Sequence, residues 1–404
     1  MKDLKHIVPE NIEEFISKED TPLVVINLDR VKQVLSDMKN ALKKTGLKFE
    51  IYYALKASYL KPIIDILKNE NIDGLEVMST LEKKIANSAG FKNENIIYNG
   101  LYREKSDLIN SHKENITINI DSLEELSYFK NEKDASVGLR IHPEFKEDGN
   151  FITHDSKLGL NYEEFFKALN VCKNHKIKLK GINFHIFSNI TEHALVNKAI
   201  KETLKLIDYA EKYLGYEIEY LDVGGGIAPK FLFKNEKEFE NFIIKSFYVI
   251  KKNKPNIKVI LELGRYIVSD STFVISKVKG IKTKKQKKWA VLDISSNYLI
   301  PAPGASYIVV PYNEKITDKG ELIHFTDAIG SMKGIIDTNS YFVDLKKENL
   351  VIVTNCGAYT NSMKEQFIFE TPKHIFLKNN KIENKIEKFN LNQVLEYYKW
   401  SENK

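Results

Sequence analysis

Over the first two thirds of the chain the hydrophobic positions follow two alternating periods. Short apolar, β-prone runs occupy 52–57, 74–78, 96–99, 116–121, 137–142, 181–186, 220–223 and 259–263. Between them apolar residues recur every three or four positions, most clearly over 81–89, 163–174, 194–214 and 236–252, which is the spacing of amphipathic helices. Ahead of this series 21–29 (TPLVVINLD) reads as a strand, followed by a helix through Lys44. Eight strand–helix alternations predict a (β/α)8 barrel. Periodicity by itself leaves an open doubly wound sheet as the alternative. From Lys282 onward the pattern changes to β-prone runs at 289–294, 307–310, 321–325, 350–353 and 367–369, then a helix over 391–400. That last third reads as an antiparallel β-domain, with 1–20 packed on it. The expected division is a barrel over 21–275 and a second domain made of 1–20 and 276–404.

A barrel collects chemistry at the C-terminal ends of its strands, and residues suited to chemistry stand there. Lys56 ends the first run, Glu76 lies in the second, and Arg140 ends the fifth. His185 and Ser188 follow the sixth, Gly224, Gly225 and Gly226 the seventh, and Glu262, Gly264 and Arg265 close the eighth. Each taken singly is an ordinary strand-end residue; their shared position in the repeat is the signal. A buried lysine can shed its proton and act as a nucleophilic amine toward an aldehyde. In LDVGGGIAP (221–229) three glycines after a strand let backbone N–H groups approach an anion. Arg265, at the end of the next strand, offers a charged fork to the same anion. Together they point to a phosphorylated cofactor.

Composition narrows the classes. The chain has 404 residues with a net charge of +6 spread over scattered lysines. The one dense run, KTKKQKK at 282–288, reads as a solvated turn rather than a nucleic-acid site. A modest positive surplus suits an acidic substrate. The N-terminus lacks the apolar core of a signal peptide and no later run has the length of a membrane span, which points to a cytoplasmic protein without a membrane partner. Cys172 and Cys356 are too few for a disulfide framework or a thiolate metal site, and no metal is expected.

Five ordered motifs, YALKAS, NFHIFSN, LDVGGGI, LELGRYIV and NCGAYTNSM, resemble those of the fold type III pyridoxal-phosphate decarboxylases, the group that includes the ornithine, diaminopimelate and carboxynorspermidine enzymes. The resemblance runs from about Thr21 to about Lys373. It implies an alanine-racemase-like barrel plus a C-terminal β-domain, with active sites shared in a head-to-tail homodimer. Carried over by position, Lys56 would join the aldehyde of pyridoxal 5′-phosphate as a Schiff base, His185 would stack on the ring, and Glu262 would pair with the ring nitrogen. Ser188, Gly224 to Gly226, Arg265 and Tyr359 would hold the phosphate, with Glu76, Arg140 and Gly264 completing the cofactor set. A carboxylate at the ring nitrogen strengthens the electron sink, and so favours decarboxylation over racemisation.

The chain departs from this pattern in GSMKGIID (330–337). Relatives carry a cysteine and then an acid where Lys333 and Gly334 stand here. Lys333 is therefore expected as a replacement proton donor or substrate binder, alongside Asp337, and Cys356 as a small buried residue. A missing acid suggests a substrate whose distal nitrogen is acylated. Wording such as HIFSN is also similar to decarboxylases of carboxylate-siderophore assembly, of the rhizoferrin and staphyloferrin B type. The sequence reading therefore favours a citryl-amino acid of the citryl-ornithine kind. The alternatives are a diaminopimelate or ornithine decarboxylase of lysine or polyamine metabolism, and a catalytically inactive homologue acting as a binding protein.

Overall fold

The computed structural model describes residues 8, 12–15, 21–147, 150–151, 156–302, 304–312, 319–330, 334–366, 368–389 and 391–399. In chain order its strands are β1 (Leu23–Asn27), β2 (Phe49–Ala54), β3 (Gly74–Val77), β4 (Ile96–Tyr98), β5 (Thr117–Ile120), β6 (Ser136–Arg140), β7 (Lys146–Glu147), β8 (Asn150–Phe151), β9 (Lys178–Asn183), β10 (Tyr220–Asp222) and β11 (Lys258–Leu263). They are followed by β12 (Thr272–Lys284), β13 (Lys287–Leu292), β14 (Ile308–Pro311), β15 (Glu321–Thr326), β16 (Ile335–Phe342), β17 (Leu350–Thr354), β18 (Lys373–Lys378) and β19 (Lys381–Ile386). The contacts divide the chain into two compact units, one of Val34–Lys56 and Leu67–Tyr266, the other of Met1–Gln33, Ala57–Ile66 and Ile267–Lys404.

The first unit is a closed barrel in the order β10-β11-β2-β3-β4-β5-β6-β9, parallel throughout. All eight apolar runs became its strands, because strands covered on both faces read as near-continuous hydrophobic stretches. Closure settles the choice against the open sheet. Helices at Thr80–Ser88, Tyr162–His175, His193–Leu214 and Glu236–Asn253 fall where the three-and-four spacing put them. Their ends carry local signals: Asn161 and Glu164 form a capping box, and Gly215 turns left-handed at φ +83° after the third. Tyr52, Ile97, Tyr220 and Ile260 fill the barrel interior. A Cβ on Gly181 would lie 2.1 Å from the Tyr220 ring and one on Gly74 2.4 Å from the Tyr52 ring, so glycine is what lets these two rings into the barrel.

The second unit is a nine-stranded sheet of order β16-β15-β13-β12-β1-β18-β19, with β17 on β12 and β14 on β17. Leu23, Val25, Phe273, Ile275, Ile352 and Ile375 lie in its core, with Ile12 beside them. Three expectations are corrected here. The strand at 21–29 does not belong to a barrel domain beginning at 21: β1 pairs antiparallel with β12 and parallel with β18. The sheet is mixed rather than antiparallel, since β13 and β15 are also parallel. No strand forms at 368–369, and Phe367 lies outside the described residues. The long β12 and the pair β18 and β19 were not anticipated; β12 mixes apolar residues with lysines, which hides its period. The basic run falls in the β12–β13 hairpin, with Lys285 and Gln286 at positive φ in its two-residue turn. Among the described residues no helix is long and apolar enough to cross a membrane.

One buried ion pair ties the C-terminal ends of two barrel strands. Arg103 donates to the carbonyls of Tyr98 (2.6 Å) and Asn119 (2.7 Å) and pairs with Glu125 at 2.9 Å. Glu125 also accepts the backbone N–H groups of Arg103 and Asp121. Removing one member of such a pair leaves a charge buried without its counter-ion, which typically costs about 3–5 kcal/mol. Arg103→Met is expected to lower the unfolding free energy in urea by about that amount, whereas an effect below about 1 kcal/mol would place the pair among weak surface bridges.

Candidate active site

The register of the barrel brings three carboxyl groups together. β3 aligns Glu76 with Ala54 of β2, β11 aligns Glu262 with Tyr52, and Asp222 ends β10. Glu76 and Asp222 are fully buried and Glu262 is 5% exposed. Lys56 follows β2 in a single 3-10 turn (Leu55–Ala57), and its Nζ lies 2.6 Å from Glu76 Oε2. Asn99, one residue past β4, donates to Glu262 Oε1 at 2.6 Å and to Glu76 Oε1 at 3.2 Å. Burial drives the Glu262 carboxyl well above the usual range, and the neighbouring charges of Asp222 and Glu76 add to the shift. Asp222 is raised to about 6, again chiefly by burial. Two adjacent buried acids cannot both ionise cheaply, so the surroundings favour the protonated form of Glu262.

The glycine run is a cradle with no room for side chains. Gly224 and Gly226 have φ of +67° and +88°; a Cβ on Gly225 would lie 2.3 Å from the Glu262 carbonyl, and one on Gly226 1.9 Å from the Phe187 carbonyl. Asp222 holds the loop by accepting the Gly224 N–H at 2.9 Å, and Gly224 in turn accepts the N–H of Glu262. The Gly225 N–H donates to His185 Nδ1 at 3.3 Å, which leaves the imidazole proton on Nε2. Desolvation, then the charges of Lys56 and Arg140, push His185 down to about 3, so it presents a neutral ring.

The other expected residues divide between the two units. Arg140 is buried 3.6 Å from Asp121, whose carboxyl burial raises to about 6. Ser188 sits exposed on the loop after β9, Gly264 follows β11, and Arg265 begins the helix Arg265–Val268 half-buried. Tyr359 lies in the second unit at φ +66°, where its N–H donates to the Ala57 carbonyl at 2.8 Å. Cys356 is fully buried with its thiol pushed up by desolvation, as a small core residue would be. Lys333 lies outside the described residues. Asp337 does not fit a substrate-binding role: it is buried and accepts the N–H groups of Val309 and Asn339, both at 2.8 Å, and the Ser340 hydroxyl, which fixes the sheet. Sequence reasoning left Asn99 and Asp222 without a role. Their signal was a polar residue at the end of an otherwise apolar strand.

Gly334 has a local cause. A Cβ there would lie 2.1 Å from Oδ1 of Asp327, a buried carboxylate that accepts the N–H groups of Ser296 and Ile329. The missing acid therefore reflects space already taken by Asp327 and says nothing about acylation of a substrate.

Comparison with known proteins follows from this geometry. A family model described as pyridoxal-dependent decarboxylase, pyridoxal binding domain, matches residues 28–269. The diaminopimelate decarboxylase of Campylobacter jejuni is 26% identical over 86% of this chain and 88% of its own. That of Staphylococcus aureus is 27% identical over 93% of each. A crystal structure of the Methanocaldococcus jannaschii diaminopimelate decarboxylase in complex with L-lysine superposes with a TM-score of 0.82 at 22% identity, covering 95% of this chain and 93% of that one. A Vibrio vulnificus lysine/ornithine decarboxylase with putrescine gives 0.77 at 21% identity, over 92% of this chain and 98% of the other. The names of the curated relatives overturn the citryl-amino-acid and siderophore expectation.

The residues fit the cofactor that this family carries. The cradle has space a Cβ would fill, an amine stands beside it, and a cluster of three carboxyl groups met by one lysine would be relieved by a protonated ring nitrogen. The cluster also makes a prediction about the cofactor-free protein. The folded chain keeps a proton on Glu262 that the unfolded chain releases above its ordinary pKa, so this residue's contribution to stability falls as pH rises. Glu262→Gln mimics the protonated acid and should be as stable as wild type near pH 4 but more stable at pH 8, the gap growing by at most about 1.4 kcal/mol per pH unit. Urea denaturation at several pH values measures it, and a gap that shrinks with rising pH would contradict it. A match over more than half of the chain, on a barrel whose cradle and acids suit a phosphate-bearing pyridine, places the protein among the pyridoxal-dependent decarboxylases, as an amino-acid decarboxylase that works with pyridoxal 5′-phosphate.

Proposed function

We propose that the protein removes a carboxylate from a diamino dicarboxylic acid of the diaminopimelate type. The observation that carries this reading is that the curated relatives aligned over most of the chain bear that name. The local cause of Gly334 removes the ground for an acylated distal nitrogen.

Each residue then has a task derived from its setting. Lys56 would be the covalent anchor, and its contact with Glu76 supplies a nearby acceptor when the amine must lose a proton. Gly224 to Gly226, Arg265 and Ser188 would hold the phosphate. His185, neutral and oriented by Gly225, offers a flat uncharged face to the ring. Glu262 would hold the proton at the ring nitrogen, trading its own isolation for a charge partner. When bound, the cofactor supplies an electron sink for the pair left as carbon dioxide departs. Arg140, buried against Asp121, would steady the rim after β6. A head-to-tail homodimer belongs to this reading, with residues of the second unit completing the neighbouring site.

The test incubates the cofactor-loaded protein with diaminopimelate, ornithine, lysine and a citrylated diamino acid and identifies products by mass. Lysine from diaminopimelate, at least tenfold faster than any other turnover, is the expected result; faster release of carbon dioxide from ornithine would overturn it. Lys56→Ala should lose the visible absorption band of the bound cofactor together with turnover.

A further inference from the structure

The barrel contains a line of polar groups that the roles above do not use. Tyr220 Oη donates to Asn119 Oδ1 at 2.9 Å. Asn119 Nδ2 donates to Asn99 Oδ1 at 3.0 Å and to Asp222 Oδ2 at 3.3 Å. Asn99 Nδ2 finally donates to Glu262 and Glu76. Tyr220, Asn119 and Asn99 are all at most 4% exposed, so water cannot substitute for these bonds. The Glu76 carboxylate accepts and does not donate, and the proton of Glu262 is directed at Asp222, so Asn99 turns its NH2 toward both acids. Its carbonyl must then face Asn119, and the same logic sets Asn119 against the Tyr220 hydroxyl. The fold makes room for this line. A Cβ on Gly138 would lie 2.1 Å from Asn119 Oδ1 and 2.3 Å from Tyr220 Oη, and one on Gly181 would enter the Tyr220 ring.

We infer that Asn99 is a positioning residue that clamps Glu262 and Glu76 together, with Asn119 and Tyr220 locking its amide in the donating orientation. One amide thereby sets the spacing between the acid meant for the ring nitrogen and the acid that holds Lys56. Without it, Glu262 keeps its hydrogen bond to Asp222 but loses the tie to Glu76 that fixes its direction toward a cofactor. The inference rests on the reading of Glu262 as the partner of that nitrogen and is independent of which amino acid is decarboxylated.

The experiment compares wild type, Asn99→Ala, Tyr220→Phe and Glu262→Gln by titration with pyridoxal 5′-phosphate, following the visible band across pH. Asn99→Ala should bind at least tenfold more weakly and shift the pH midpoint of the band. Tyr220→Phe, which keeps the ring against Gly181 and loses only the hydroxyl, should shift both in the same direction by less. If Asn99→Ala does not fold, the Tyr220→Phe shift carries the test. A variant that loses thermal stability but keeps wild-type affinity within twofold and the same pH profile, while Glu262→Gln departs from it, overturns the positioning role alone. If Glu262→Gln also matches wild type, the reading beneath falls and the positioning role falls with it.

Discussion

Glu76, Asp222 and Glu262 are shut into one end of a closed barrel, and among the described residues Lys56 is the cation in contact with them. Burying that many carboxyl groups is tolerable only when protons, amide donors or a positive ligand take up the charge. Here the first two are present in the fold: the surroundings favour the protonated form of Glu262, and Asn99 and Asn119 direct their N–H groups at the acids, while the third is left to a bound ligand. The site is thus strained in the electrostatic sense before anything binds. That strain gives the protein a reason to prefer a protonated heterocycle to a neutral one.

The glycines serve the same end from two sides. Gly224 to Gly226 bring bare backbone close to where an anion would sit, and Asp222 pins that loop while also belonging to the acid cluster. The glycine loop and the acid cluster therefore share a residue. Inside the barrel, Gly74, Gly138 and Gly181 give up side chains so that Tyr52, Tyr220 and Asn119 can occupy the axis. A substitution at these positions would disturb the acids without touching them.

The substrate question shows how a residue's absence can mislead. Gly334 in place of an acid suggested a substrate with its distal nitrogen masked, yet Asp327 leaves no room for any side chain there. A missing group is evidence about a ligand only when the space it would occupy is open.

The apolar runs and their helical intervals were enough to count eight strands and place the helices within a residue or two, because a parallel barrel buries each strand on both faces. The ordered motifs likewise located Lys56, His185, the glycine run and Glu262 at strand ends. What needed tertiary structure was everything that depends on pairing across long separations. β1 precedes the barrel series in sequence, yet it belongs to the other sheet through hydrogen bonds to β12 and β18, and a lone apolar strand carries no mark of its partner. Asn99, Asn119 and Asp222 lie in or just past three different strands and become one network only when the sheet closes. Asp337 and Gly334 carried plausible ligand chemistry until their neighbours, three donors for one and a carboxylate for the other, showed them to be structural. Periodicity records which face of an element is buried; only closure of the fold decides what meets it there.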